Sequence, residues 1–229
     1  MKKLGLIGGI GPESTIAYYH DIAYGVHERV GIYPNLAIES LNVFDVLRLC
    51  GAGDYDGLVK YVLHGLNCLS GAGADFAALT GITPHIVFDE LSARSPIPLV
   101  SIIDAACAYS LGRGYTKVAL LGTYPTMSGS FFQEVFARKD IEVVTPLPDD
   151  MEYIGGKISS ELENGKVVPS TRERVAAIAD RMAEEDGVQA VVLGCTELPM
   201  LFGNTRLQVP FIDVMRVHID VLIDMILAD

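Results

Sequence analysis

Cysteine is scarce in this 229-residue chain, and the four present, Cys50, Cys68, Cys107 and Cys195, stand far apart. No C-x-x-C pair occurs, which argues against a structural zinc site or a dithiol redox motif. Scattered thiols fit a reducing compartment, so a cytoplasmic protein is expected. Basic charge is also short: 17 Lys and Arg stand against 29 Asp and Glu, a net charge of −12. No cationic surplus exists to neutralise phosphates, so nucleic acid is not an expected partner. A small acidic substrate remains open, because it needs only a local cation or two and some backbone N–H groups. Long apolar runs are missing too, and no stretch is long enough to span a membrane. The opening "MKKLGLIGGIGPEST" has the lysines and short apolar run of a leader, but Gly-Gly and Gly-Pro-Glu break it. A first strand fits it better.

The chain is long enough for one broad domain or two small ones. Half of its residues are hydrophobic and a fifth are charged, as in ordinary globular proteins. Short apolar runs predict strands at Lys3–Ile7, Leu36–Leu41, Asp75–Leu79, Pro98–Ile102, Lys117–Leu121, Glu142–Val144, Gln189–Leu193 and Val209–Phe211. Helical periodicity predicts helices that include Pro12–Arg29, Tyr55–Ser70, Met127–Ala137, Ser170–Glu184 and Val214–Leu227. Several strands are apolar throughout, as in parallel sheets covered on both faces. The alternation of strand and helix indicates an α/β fold. Pro12 and Pro84 suit the first turn of a helix, where a missing N–H costs nothing.

A faint internal repeat runs through the chain. "LIGGIGPEST" from Leu6 resembles "LLGTYPTMSG" from Leu120, and "AALTGITPH" from Ala77 resembles "VVLGCTELP" from Val191. Both pairs are 114 residues apart, which favours duplication over chance. Asp104 of "VSIID" and Asp213 of "VPFID" follow less strictly. Under the offset, Gly81 is the counterpart of Cys195. Two such halves with facing strand-end loops form one cleft, where ligands of open α/β sheets bind.

"GGIGPEST" supplies Gly9 and Gly11 of a dinucleotide fingerprint, but Ser14 occupies the third glycine's place. The same turn into a helix N-terminus offers N–H donors to an anion such as a carboxylate, with the Thr15 hydroxyl nearby; a tight turn without a ligand is the alternative. Tyr124, Thr126, Met127, Ser128 and Gly129 form a second loop of this kind. Cys195 follows an apolar strand and precedes a helix start, where the dipole and N–H groups favour thiolate. A small buried hydrophobe is the other reading. Arg48 is a lone cation after the second strand. His85 is expected as a polar wall or a cap, since "TPH" is too sparse for a metal site.

With "GLIGGIGPEST", Arg48, "GADFAALTGITPH", "VSIIDA", "VALLGTYPTMSGSFF", "GCTELP" and "VPFIDV" in place, the sequence resembles the aspartate/glutamate racemase family over essentially its whole length. That resemblance implies two pseudo-symmetric α/β domains, each a parallel sheet flanked by helices, with the active site in the cleft between them. The expected division is 1–97 plus 208–229 against 98–207. It also implies a homodimer that racemises a free acidic amino acid without pyridoxal phosphate, metal or other cofactor. Such members use two cysteines, one for each face of the α-carbon, and Cys195 matches the second. Gly8, Gly9, Thr15, Thr83, Thr126, Ser128 and Thr196 then hold the α-carboxylate or shape its pocket, with Gly81, Ile82 and His85 beside it. Arg48 matches the arginine for the acidic side chain, and Lys166 is the nearest candidate for the family's later lysine.

One departure stands out. The family's first motif reads Cys-Asn-Thr-x-His, whereas this chain has Gly81-Ile82-Thr83-Pro84-His85. Glycine carries no proton, so racemisation needs a stand-in such as Thr83, Thr80, His85 or a water. Three functions follow as expectations: a racemase-type enzyme on aspartate or glutamate, a single-cysteine decarboxylase of arylmalonate type, and a non-catalytic binder of an acidic metabolite. On this reading, Gly81→Cys raises racemisation by restoring the missing face.

Overall fold

The structure, a computed structural model, describes residues 1–203 and 205–228. The chain forms two compact units, Met1–Ile102 with His218–Asp229, and Ile103–Val217. In the first, β1 (Leu4–Gly8) leads into α1 (Pro12–Val30), then β2 (Leu36–Ser40), α2 (Val43–Gly51) and α3 (Tyr55–Gly71). It continues through β3 (Phe76–Leu79), a 3₁₀ turn at Thr83–Val87, α4 (Phe88–Arg94) and β4 (Leu99–Val100). Helix α5 (Ile102–Gly112) opens the second unit, followed by β5 (Lys117–Gly122), α6 (Tyr124–Ser128), α7 (Phe131–Ala137), β6 (Glu142–Val144) and α8 (Pro148–Ser160). A 3₁₀ turn at Leu162–Asn164 precedes α9 (Pro169–Glu185), β7 (Val191–Gly194), α10 (Leu198–Phe202), β8 (Phe211–Asp213) and α11 (Val214–Leu227).

Each unit has a four-stranded parallel sheet, ordered β2-β1-β3-β4 in the first and β6-β5-β7-β8 in the second. The two orders are the same once the strands are numbered within each half, as duplication requires. The central strands are buried along their whole length: "LGLIG" in β1, "FAAL" in β3 and "VVLG" in β7. Helices on both sides produce this burial, which explains why these strands read as continuous apolar runs instead of alternating ones. Ile7, Leu58, Val62 and Leu66 anchor the first core, and Leu121, Leu193, Ile158 and Phe202 the second. Fully burying one such side chain contributes about 1.5–3 kcal/mol.

The junctions between the two units lie at 102/103 and 217/218, compared with the 97/98 and 207/208 expected. Strand pairing accounts for the difference. β4 hydrogen-bonds to β3, so residues 98–102 stay with the first sheet. β8 hydrogen-bonds to β7, so residues 208–213 stay with the second. From His218 onward α11 belongs to the first unit: Lys2 N–H donates to the Ile226 carbonyl at 2.9 Å, and Arg29 pairs with Asp224. The helix expected at Met127–Ala137 is two, because the chain breaks at Gly129 and Ser130 between α6 and α7.

Candidate functional site

In the second unit the chemistry gathers at the carboxyl ends of β5 and β7. Gly122 and Gly194 lie opposite each other in register. A β-carbon on Gly122 would come within 2.8 Å of the Gly194 carbonyl oxygen, and one on Gly194 within 2.7 Å of Leu120. The two glycines thus allow the strand ends to approach closely, which sets the loop after β5 beside the loop after β7. Thr126 is buried against both glycines. Its hydroxyl lies 2.9 Å from that of Thr123, while Ser128 donates to the Tyr124 carbonyl at 2.8 Å.

Cys195 follows directly, only 7% exposed. Its Sγ–H donates to Glu197 Oε2 at 2.9 Å, and the Thr196 hydroxyl donates to the same oxygen at 2.9 Å. Burial pushes the thiol well above its ordinary value of 9.0, and the charge of Glu197 and the hydrogen bond to its carboxylate push the same way. The backbone N–H of Glu197 pulls against them, and the charge of Glu163 adds to the rise. The 3₁₀ turn Leu162–Asn164 packs on α10 and carries Glu163 to this position. The Glu163 carboxyl is itself raised, first by partial burial and then by Glu197. The expectation of a thiolate is therefore overturned. Helix α10 has only five residues, too few for a strong dipole, and a carboxylate sits at its start. The resting group is a thiol. Lys166 is exposed, just past the same turn, with its N–H on the Glu161 carbonyl at 3.0 Å.

The first unit has the matching arrangement at the ends of β1 and β3. Gly9 and Gly11 adopt left-handed φ of 76° and 96°, and a β-carbon on Gly9 would meet the Leu41 carbonyl oxygen at 2.1 Å. Only glycine serves there. The Gly9 N–H donates to Thr15 Oγ1 at 2.9 Å, and that oxygen lies 3.0 Å from the Gly11 carbonyl and 3.1 Å from Thr80 Oγ1. Thr15 thus braces the loop with its hydroxyl, and a β-carbon on Gly8 would run into its methyl at 2.5 Å. Helix α1 has no side chain capping its N-terminus, so its first-turn N–H groups remain donors for an anion.

Gly81 closes β3 under this loop. A β-carbon there would lie 2.8 Å from Ile10 Cγ2 and 2.9 Å from the Ile10 carbonyl oxygen. Ile10 thus crowds the β-carbon that a first cysteine would need, and Gly81→Cys requires the Ile10 backbone to shift. We expect Gly81→Cys to lose about 1–3 kcal/mol through overpacking, measured by denaturant unfolding, without a gain in racemisation of either enantiomer of aspartate.

His85 is buried, and its ring is held entirely by the backbone. Nδ1–H lies 3.1 Å from the Gly81 carbonyl and 3.2 Å from that of Ile82, while Nε2 accepts from Ile102 N–H at 3.4 Å. Two carbonyls on Nδ1 assign the proton there. Burial lowers the ring to about 4, against a partial upward pull from the two carbonyls. His85 is a neutral strut under Gly81 and Ile82, stacked on Phe88, with no ring nitrogen left for a ligand. Ile82 is buried, and Thr83 is half-buried at the start of the 3₁₀ turn.

Arg48 lies on α2, whose N-terminus is capped by Asn42 and which packs on that 3₁₀ turn. It is exposed and paired with Asp45 at 3.3 Å. An exposed i,i+3 pair contributes at most about 1 kcal/mol, so Arg48 is free to exchange Asp45 for a ligand carboxylate.

Sequence reasoning missed Glu197, Glu163, Ile10 and His218. Glu197 stood in plain view in "GCTELP". Glu163 and Ile10 gave no local signal, because packing alone brings them to their places. His218 is a lone polar residue on the apolar face of α11, 2.7 Å from the Tyr18 hydroxyl and beside His85. Among the described residues no group of three or more His, Cys, Asp or Glu is placed to hold a metal. Nor is any described helix long and apolar enough to cross a membrane.

Comparison with known proteins agrees with this geometry. Over residues 7–222 the sequence matches the family of Asp/Glu/Hydantoin racemase. It is 24% identical over 219 residues to the broad specificity amino-acid racemase RacX of Bacillus subtilis (strain 168), covering 92% of each chain. An aspartate racemase homologue from Pyrococcus horikoshii OT3 superposes with a TM-score of 0.86 at 34% identity, over 99% of both chains. The fold is shared more distantly with an arylmalonate decarboxylase, at a TM-score of 0.59 and 13% identity, covering 99% of this chain and 93% of that one. Two like-ordered parallel sheets, strand-end loops with these motifs and a match along nearly the whole sequence lead to one conclusion: the chain belongs to the Asp/Glu/hydantoin racemase family.

Proposed function

We propose that this protein is a cofactor-independent, racemase-type enzyme that acts on the α-carbon of aspartate, glutamate or a similar acidic amino acid, with Cys195 as its thiol acid/base. The observation that carries the reading is the buried thiol at the end of β7, hydrogen-bonded to a carboxylate beside the Thr196 hydroxyl. An α-proton is only weakly acidic, so its transfer needs a group in contact and donors preorganised for the enediolate. In the second unit Thr126, Ser128 and Thr196 are assigned to the α-carboxylate; in the first, the loop Gly8–Thr15 is assigned the role of an anion-binding turn. Arg48 is assigned to the side-chain carboxylate, which it takes in exchange for Asp45. Thr83 is the half-buried hydroxyl left at the Gly81 end, and Lys166 a peripheral cation. A cytoplasmic homodimer belongs to the same reading.

Gly81 has no side-chain proton to give, Ile10 crowds any β-carbon added there, and His85 is tied to backbone on both nitrogens. Proton traffic is therefore assigned to the Cys195 side alone. Incubation of each enantiomer of aspartate and glutamate in D2O tests the reading. Incorporation of α-deuterium is the expected result; no deuterium with any of the four substrates would remove it.

A second reading is favoured by the protonated state of the thiol. Loss of CO2 from a malonate-type diacid creates the carbanion without any base, and Cys195 then only delivers a proton. CO2 release from substituted malonates is its signature, and none across a panel would remove it.

A further inference from the structure

We propose that Glu197 is a positioning residue: its carboxylate accepts the Cys195 Sγ–H, keeps the proton on sulfur and makes Cys195 a proton donor in the resting protein. The inference rests on the reading of Cys195 as the acid/base group. Three observations carry it. Glu197 Oε2 is 2.9 Å from Sγ and 2.9 Å from the Thr196 hydroxyl, so the oxygen is held in place by a second hydrogen bond. Cys195 is buried, so water does not compete freely for the thiol proton. The charged groups acting on the sulfur are both acidic, Glu197 at the start of α10 and Glu163 on the turn packed against it. No cation offsets them among the described neighbours that shift this thiol.

The consequence is directional. The protonating step follows either loss of CO2 from a diacid, or removal of an α-proton by the minor thiolate form of Cys195 and exchange of that proton with solvent. In it the S–H bond breaks as a C–H bond forms: the carbanion's lone pair takes the proton, and the electron pair of S–H stays on sulfur. The resulting thiolate faces the Glu197 carboxylate, and this like-charge contact drives a solvent proton back onto sulfur. Glu197 thus sets the preference for giving a proton over taking one, which the cysteine's own chemistry does not.

The test is a 13Cβ NMR titration of protein labelled at the cysteine β-carbon, with the Cys195 signal assigned by its absence in Cys195→Ala. In the wild type the thiol should titrate above 9.0, the ordinary thiol value. In Glu197→Gln the midpoint should fall by about one pH unit or more, the size of shift a close like charge produces. Glu197→Asp keeps the charge one methylene further back and should fall between the two. It also provides the readout if the glutamine variant does not fold. Unchanged signals from Cys50, Cys68 and Cys107 report that folding is intact. A midpoint identical in wild type and variants would overturn the proposal, even in a protein that turns over its substrate. The converse, a shifted midpoint in a protein that exchanges no α-hydrogen, would leave Glu197's hold on the proton intact and remove the proposed function instead.

Discussion

Cys195→Ala is expected to cut α-hydrogen exchange by roughly 10²–10⁴-fold, the scale of a single general acid/base group. The fold should survive, because Cys195 behaves as a small buried side chain and alanine removes only one sulfur. Activity that persists in this variant would remove Cys195 from the chemistry. The pH dependence then separates its two possible roles. If sulfur acts as a base, only thiolate is active, and the rate climbs about tenfold per pH unit until the thiol titrates. Burial and Glu197 place that point above 9.0, so the climb continues through the whole neutral range. If sulfur acts as an acid, the rate is level through the same range and falls only above it. Measured kcat/KM between pH 6 and 10, with Glu197→Gln alongside, identifies which limb is present.

The second large effect is acid sensitivity of the first unit. His85 and His218 are buried and neutral, held down to about 4 and about 3, in each case chiefly by burial. For His218 the charge of His85 adds to the depression, and the Val100 carbonyl opposes it. The unfolded chain protonates both near 6.5 while the folded chain does not. Stability from these sites is therefore complete above about pH 6.5 and is lost as pH falls toward 4 and 3. At pH 4.5 the two together remove on the order of 5 kcal/mol, at 1.36 kcal/mol per pH unit for each. That is comparable to the whole stability of many domains. Urea unfolding at pH 7.5 and pH 4.5 measures it. Replacing the pair Tyr18 and His218 together, Tyr18→Phe with His218→Leu, should remove roughly half of the pH-dependent loss. Equal losses in wild type and double variant would mean that carboxylates elsewhere, not the buried histidines, set the acid limit.

How far the sequence reaches is clear from particular residues. Every strand was legible, because β1, β3, β5 and β7 are covered on both faces and so consist almost wholly of apolar residues. Edge strands were legible to within a few residues at the ends, where β8 runs two residues past the apolar run to Asp213. Helix α8 carried a weak signal for a tertiary reason. Its Gly155 lowers helix propensity, yet a β-carbon there would come within 3.0 Å of the Tyr124 backbone N. Close packing on α6 demands the glycine that obscures the helix.

The site shows the same division. Cys195, Arg48 and the glycine loops were visible as motifs, since their chemistry depends on residue type at a strand end. Protonation was not visible. It depends on Glu197 and Glu163, one adjacent in sequence and one brought in by packing, and on burial that no local pattern reports. The obstruction at Gly81 was equally hidden, because Ile10 reaches it across the sheet from the loop after β1.

The central claim is that proton transfer proceeds from one side only, through the Cys195 sulfur. The most direct test is chiral analysis of the α-deuterated amino acid recovered from wild-type protein in D2O, starting from a single enantiomer of aspartate or glutamate. The account predicts α-deuterium with the starting configuration retained. Accumulation of the opposite enantiomer in step with deuterium would contradict it, because a second proton carrier would then be at work beside Gly81.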